Sequence, residues 1–199
     1  MAKHSSRNTR SRIVSAAWEL FYEHGYDDTT VDDIVERSGT SKGSFYHYFP
    51  GKDALLSSLS TLFDEKYESL MQEMDPEMPA FDRLIYLNHE LFFMVENSIS
   101  IELLAQLLSS QLTTSGEKHL MDQNRLYFRL LRRICAEGQR DGSLRSDLSV
   151  SEMVRIYALQ ERALLYDWCI CSGNYSLAQF SSTQLPRLLG YFRAESGTA

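Results

Sequence analysis

Cysteine and proline are both scarce in this chain of 199 residues, at three and four respectively. Cys135, Cys169 and Cys171 carry neither the spacing of a usual zinc site nor a nearby histidine to complete one. A zinc module and a disulfide scaffold are therefore set aside, and the thiols are expected to pack inside helices. No apolar run reaches the length of a membrane span. The basic start (Lys3, Arg7, Arg10, Arg12) leads into a segment holding Trp18 and Glu19 instead of the apolar stretch of a signal peptide, so a cytoplasmic protein is expected. Catalytic signatures are missing too: there is no G-x-S-x-G elbow, no phosphate-binding loop and no His-Glu-x-x-His. The five histidines are scattered over separate segments. Neither enzyme nor resident cofactor nor metal is expected. Strand patterns are absent as well, and every periodic segment repeats at three and four, which places the chain in the all-α class.

What the chain has is a stretch from Thr29 to Lys52, TTVDDIVERSGTSKGSFYHYFPGK. Thr30 followed by Asp33 is a capping pattern at the start of a short helix with Val31, Ile34 and Val35 on one side. Gly39 supplies the left-handed residue that stops it. Ser41 caps a second helix of barely two turns, Lys42 to Tyr48, with Phe45 and Phe49 four apart on its inner face. Its remaining residues, Lys42, Gly43, Ser44, Tyr46, His47 and Tyr48, form an outer surface of one cation, hydroxyls and aromatic edges. Lysine neutralises a phosphate, hydroxyls donate to phosphate oxygens, and ring edges meet bases in a major groove. The pattern predicts a helix–turn–helix with its second helix in DNA. Candidate DNA contacts are Thr29, Thr30, Ser41, Lys42, Gly43, Ser44, Tyr46, His47, Tyr48 and Lys52. Net charge is −7, an acidic balance that at first argues against such a partner. Residues 1–52, however, hold seven basic and seven acidic side chains, and the rest of the chain carries the entire excess. DNA affinity is expected at one end, with an acidic body held away from the phosphates.

From Arg12 to Leu56 the chain resembles the N-terminal domain of the tetracycline-repressor (TetR) family of bacterial transcriptional regulators. The resemblance runs without a gap through Ile13, Ala16, Ala17, Leu20, Phe21, Gly25, Tyr26, Thr29, Thr30, Ile34, Gly39, Ser41, Lys42, Gly43, Phe45, Tyr46, Tyr48, Phe49, Lys52 and Leu55. Val35 and the pair Pro50-Gly51 depart from the common pattern without touching the proposed DNA surface. The resemblance implies about nine helices: a three-helix DNA-binding domain over residues 1–52, then a helical ligand-binding and dimerisation domain over 53–199. Residues 1 to about 10 read as a mobile basic arm, with a helix from about Thr9 to His24. A single connecting helix from about Lys52 to Met74 follows, then helices over about 80–97, 101–112 and 118–140, one capped by Ser149 or Ser151 and running to about Cys171, and, after a turn at Gly173-Asn174, one to about Arg193 that is kinked at Pro186. The polar TTSGEK segment is a turn, and Gly138, Gly142, Leu144, Arg145 and Asp147 look like a loop many family members carry.

Two further expectations concern the second domain. The segment after Ser149 has two apolar stripes. Ile156, Leu159, Ala163, Tyr166 and Ile170 form one, and Met153, Tyr157, Gln160, Leu164 and Trp168 the other. One suffices for a core, so the other implies a partner copy and a four-helix homodimer interface. Candidate interface residues are Leu159, Arg162, Tyr166, Leu185, Leu188, Leu189 and Phe192. Two such copies would read a pseudo-palindromic operator. The resemblance also implies a small, largely apolar or aromatic effector that releases the DNA. Candidate lining residues are aromatics with a few polar tips: Tyr86, His89, Phe92 and Phe93; then Leu103, Gln106, Leu107 and Gln111; then Tyr127, Tyr157, Gln160, Glu161 and Trp168. Glu161 stands out as an acid in an apolar helix, which if buried needs a partner such as Arg162 of a second copy or a cationic ligand. The alternative reading is an architectural or co-regulatory DNA-binding factor of the same fold without an inducer.

Overall fold

The computed structural model describes residues 2–113 and 118–194, with side chains from Thr9 onward. The middle of the TTSGEK turn and the chain end beyond residue 194 lie outside the described residues. Ten α-helical segments follow one another: α1 (Ala2–His24), α2 (Val31–Ser38), α3 (Lys42–Tyr48), α4 (Asp53–Leu56), α5 (Ser58–Glu73), α6 (Ala80–Ser98), α7 (Ile101–Thr113), α8 (Leu126–Arg140), α9 (Val150–Ile170) and α10 (Leu177–Leu188). Counting α4 and α5 as one interrupted helix gives nine. No strand occurs among the described residues, only an isolated bridge between Leu144 and Arg193. Packing divides the chain into two units. The first holds residues 1–62 and 100–120, and the second 63–99 and 121–199. The grouping of α7 with the N-terminal helices differs from a sequence division at residue 52.

In the first unit, the apolar stripe of α1 (Ile13, Ala16, Ala17, Leu20, Phe21) meets Ile34 of α2 and Phe45 of α3 in one fully buried cluster. Polar ties fix the angles between these helices. Arg37 of α2 pairs with Glu23 of α1 at 2.7 Å. Arg12 of α1 donates to the carbonyls of Ser38 and Gly39, gripping the turn between α2 and α3. Gly39 sits at φ 59°, a left-handed conformation that strains other side chains, so glycine suits this turn. α7 lies against α4, and Gln106 reaches Asp27 in the loop before α2 at 3.4 Å.

Several expected boundaries move, for local reasons. The N-terminal arm is helical: α1 begins at Ala2 and continues the register of the helix expected from Thr9. The expected single helix from Lys52 to Met74 breaks at Ser57, where three serines compete with the helical ladder. The hydroxyls of Ser57, Ser58 and Ser60 donate to the carbonyls three residues back at 2.5–2.6 Å. The helix expected from Lys118 starts only at Leu126, after a 3₁₀ turn over His119–Met121. Asp122 holds the chain open there by accepting from the Asn124 amide at 2.9 Å. α10 ends at Leu188, two residues past Pro186, and a 3₁₀ turn at Gly190–Phe192 replaces its expected extension.

In the second unit, α6 packs against α8 and α10, and α8 against α9. Gly138 permits the closest approach. A Cβ there would lie 2.6 Å from both Ala80 of α6 and Leu144, so α8 can sit down on α6 only with hydrogen at this position. The Gly138 carbonyl accepts from the Leu144 amide at 2.8 Å, folding the loop after α8 back onto its own helix. Ion pairs Arg83–Glu137 (2.6 Å) and Arg125–Asp64 (2.8 Å) close the two ends. Ser149 and Glu152 form a reciprocal capping box at the start of α9.

Candidate functional site

The outer face of α3 is built by the two helices beneath it. Phe45 is fully buried and Phe49 nearly so, which anchors the inner face and leaves Tyr46 55% exposed. Arg10 of α1 lies over the Phe49 ring at 5.4 Å. The Ser41 hydroxyl accepts from the Ser44 amide at 3.1 Å and shares a hydrogen with the Ser44 hydroxyl at 3.0 Å, so the first turn is tightly wound. Gly43 at that turn is exposed and has only the Ser41 hydroxyl near its Cβ direction, which lets a surface approach the backbone closely. His47 is exposed and stacks edge-on with half-buried Tyr48 at 4.8 Å. Lys42 is exposed but occupied. Its ammonium pairs with Asp32 of α2 at 2.7 Å, and the hydrogen bond to that carboxylate raises its pKa. An exposed ion pair of this kind is weak, and a phosphate competes for the same ammonium.

Three of the expected DNA contacts are engaged within the fold instead. Thr29 is 1% exposed and its hydroxyl donates to the Gly25 carbonyl at 2.7 Å. The Thr30 hydroxyl and amide both bond Asp33 in the capping box of α2. Lys52 donates to the Tyr26 carbonyl at 2.6 Å and lies 4.2 Å from the centre of the Tyr26 ring. The ring's hydroxyl donates in turn to Asp53. Lys52 thus clasps the α1–α2 loop to the start of α4. Of the three only Thr29 is buried; Thr30 stays exposed and Lys52 half-buried, so their bonds within the fold compete with a phosphate without excluding it.

The candidate effector residues divide between the units. Leu103, Gln106, Leu107 and Gln111 lie on α7 in the first: the leucines are buried, Gln106 bonds Asp27, and Gln111 accepts from the Leu120 amide at 3.2 Å. In the second unit Phe92 is fully buried, Phe93 is 53% exposed, and Tyr86, His89 and Gln160 are half-buried. Trp168 is buried and donates to the Tyr175 carbonyl at 2.9 Å. Around Glu161 the structure builds a polar cluster inside the core. Its carboxylate is 5% exposed and accepts from Asn88 Nδ2 at 2.9 Å and from the Tyr127 hydroxyl at 2.6 Å. Burial pushes its pKa up, against the opposing pull of these donors and of Arg162. Its partners are therefore two neutral donors of the same chain, on α6 and α8; neither a cation nor a second copy is needed. The Tyr157 hydroxyl donates nearby to the Leu84 carbonyl at 2.8 Å. The buried Tyr67 hydroxyl, whose ring lies 5.3 Å from that of Tyr127, has no hydrogen-bond partner among the described residues.

The two stripes of α9 separate cleanly. Met153, Tyr157, Leu164 and Trp168 are buried, while Leu159, Tyr166 and Ile170 are 55%, 55% and 64% exposed. Of the other candidate interface residues, Leu188 is 43% exposed and Arg162 half-buried. Leu185, Leu189 and Phe192 are fully buried in their own unit and are removed from the interface set. Leu185 lies on the buried face of α10, and the end of that helix at Leu188 turns Leu189 and Phe192 inward.

A short exposed helix with a capped, glycine-bearing first turn, seated on two helices by buried phenylalanines, defines a helix–turn–helix DNA-binding transcriptional regulator. Residues 13–59 match the family described as bacterial regulatory proteins, tetR family. A Lactococcus lactis regulator of the helix–turn–helix type is 40% identical over 52 residues, only 26% of each chain. The fatty acid metabolism regulator protein of Bacillus subtilis is 23% identical over 182 residues, covering 89% of this chain and 92% of that one. Among solved structures, Thermus thermophilus FadR, a TetR-family transcriptional repressor in complex with lauroyl-CoA, superposes with a TM-score of 0.72 at 25% identity, covering 96% of this chain and 98% of its own. Residues 13–59 are thus a DNA-binding domain of the tetR family.

Proposed function

We propose that the protein is a homodimeric transcriptional repressor that leaves a pseudo-palindromic operator when its helical second unit binds a small molecule. The observation that carries the DNA-binding half is the α3 surface: Tyr46 and His47 exposed, Lys42 available to exchange Asp32 for a phosphate, and Phe45 and Phe49 locked beneath. In this reading Lys42, Ser41 and Ser44 meet the backbone, and Tyr46, His47 and Tyr48 meet bases. The exposed stripe Leu159, Tyr166, Ile170 with Leu188 supports the dimer, because apolar side chains so exposed along one helix face gain most by covering one another. A dimer would set its two recognition helices about 34–36 Å apart, one turn of DNA. The protein acts where the chromosome is, in the bacterial cytoplasm, and no single helix among the described residues is long and apolar enough to cross a membrane.

Release by a ligand is favoured over an inducer-free architectural role by full-length similarity to regulators of lipid metabolism, one of them bound to an acyl thioester. Lauroyl-CoA is therefore the first effector to try. Added to a preformed protein–operator complex, it is expected to shift the DNA to the free state with a saturable midpoint, since a ligand preferring one conformer moves the population toward it. Retention of the complex at saturating lauroyl-CoA, with binding verified by calorimetry, would return the architectural reading to first place.

A further inference from the structure

A groove of about 390 Å³ opens between α8 and α9 in the second unit, beside the chain segment that precedes α8. Its floor is apolar: Phe128, Val154 and Ala158 are 2–3% exposed. Its walls carry three arginines, Arg132 from α8 with Arg155 and Arg162 from α9, and no acidic side chain lines it. Arg155 and Arg162 are seven residues apart, two turns along one face, so their guanidinium groups point to the same side. Among the described residues none of the three forms an ion pair; only Arg132 is held, donating to the Gln123 carbonyl at 2.7 Å and to its side chain at 3.2 Å. Elsewhere in this acidic chain arginines do find carboxylates, as Arg37, Arg83 and Arg125 do. Three guanidinium groups without an ion-pair partner around one concavity repel one another, with only Arg162 near a buried acid (Glu161), and become favourable when a shared anion enters. The apolar floor adds a second requirement, because a bare inorganic ion would leave it uncovered.

We propose that this groove binds the charged end of a small amphiphilic anion, with Arg132, Arg155 and Arg162 on a phosphate or carboxylate and the adjoining apolar part over Phe128, Val154 and Ala158. Guanidinium groups engage either anion through paired N–H donors, and a volume of this size holds a small-molecule fragment. None of the residues expected from sequence to line an effector site takes part, and binding itself is independent of whether occupancy releases DNA. Only the regulatory consequence rests on the ligand-responsive reading.

The test is calorimetric titration of the full chain with octyl phosphate, octanoate and octanol below their aggregation limits, repeated on an Arg132→Gln, Arg155→Gln variant and on Arg162→Gln. The native protein is expected to bind octyl phosphate at one site per chain, octanoate more weakly and octanol not measurably. The double variant should lose about a hundredfold in affinity for octyl phosphate, the product of two charge-assisted contacts. Its thermal melting should match the native protein, since Arg155 is exposed and Arg132 half-buried. If the double variant melts early, Arg132→Lys, Arg155→Lys keeps the charge without the fork and should bind at intermediate strength. Equal affinity in native and variant proteins, or equal binding of octanol, overturns the proposal. So does dissociation of a ligand-free dimer by the double variant, which would assign the groove to a second copy. DNA release by octyl phosphate is scored separately, so a bound ligand that leaves the operator complex intact counts against the repressor reading and not against the site.

Discussion

Replacing Lys42 and Tyr46 together with alanine is expected to weaken operator binding by about a hundredfold near physiological salt, while the helical content and melting of the protein stay as they are. The size follows from two losses of different kinds. In the proposed complex Lys42 supplies one phosphate contact, so its removal is expected to act on every DNA sequence alike and to lower the slope of log affinity against log salt by about 0.9. Tyr46 is placed to meet a base edge, where a good contact discriminates by about 1–3 kcal/mol, and its removal relaxes specificity at one position only. Neither change removes a buried side chain: Tyr46 is 55% exposed with its ring edge-on to Phe45 at 5.3 Å, and Lys42 pairs with the exposed Asp32. The Asp32 pair gives an internal control of opposite sign. Asp32→Asn frees the ammonium that a phosphate must otherwise win from a carboxylate 2.7 Å away, and is expected to tighten binding modestly. Fluorescence anisotropy with a labelled operator and its single-base variants at several salt concentrations measures all three effects. Loss of affinity with an unchanged salt slope would mean that Lys42 does not reach a phosphate.

Glu161→Ala is expected to cost about 3 kcal/mol of stability in the second unit, against about 1 for Glu161→Gln. Alanine leaves the Asn88 amide and the Tyr127 hydroxyl buried without an acceptor, at about 1–3 kcal/mol for each stranded group, whereas glutamine keeps one acceptor oxygen in place. Chemical denaturation followed through helical content separates the two. The same residue sets a pH dependence. Groups facing its carboxyl are Asn88 from α6, Tyr127 from α8, Tyr67 from α5, and Tyr157 and Arg162 from its own helix. Burial raises its pKa above the ordinary 4.5, so between that value and the raised one the folded chain holds a proton that the unfolded chain has released. Stability from this group is therefore present in full at low pH and is lost as pH rises through the window. Glu161→Gln should flatten that slope. A slope that persists unchanged in Glu161→Gln assigns the pH dependence to other groups.

The contrast between these two sites explains what the sequence disclosed. The α3 site was legible because it is local: a capping serine, two phenylalanines four apart and a left-handed glycine lie within eleven residues, and near-neighbour rules decide their geometry. The α9 stripes were legible as a pair for the same reason, since helical periodicity alone separates Leu159 and Tyr166 from Tyr157 and Trp168. Which stripe faces the core depends on α6 and α8, far away in sequence, and only the fold decides it. The Glu161 cluster joins residues on α6, α8 and α9, 34 and 73 positions apart, and no spacing rule brings Asn88 to Glu161. Burial of Thr29 could not be foreseen, because its hydroxyl suits a phosphate and the Gly25 carbonyl equally well. The arginine groove left a faint trace, Arg155 and Arg162 two turns apart on one helix, but the third member comes from α8 and the apolar floor is invisible without it. The break at Ser57 was written in three serines whose preference for their own carbonyls outweighs the apolar period around them.

As proposed, two copies of α3 read one operator. Selection of bound duplexes from a random pool near physiological salt, followed by the mass of the purified complex, tests it most directly. A dimeric reader enriches a pseudo-palindrome whose half-site centres lie one helical turn, about ten base pairs, or a multiple of it apart, bound by an even number of chains. Enrichment of a single asymmetric half-site by one chain would contradict the dimer, and no enrichment even at low salt, where phosphate contacts are strongest, would contradict the assignment of α3 to DNA.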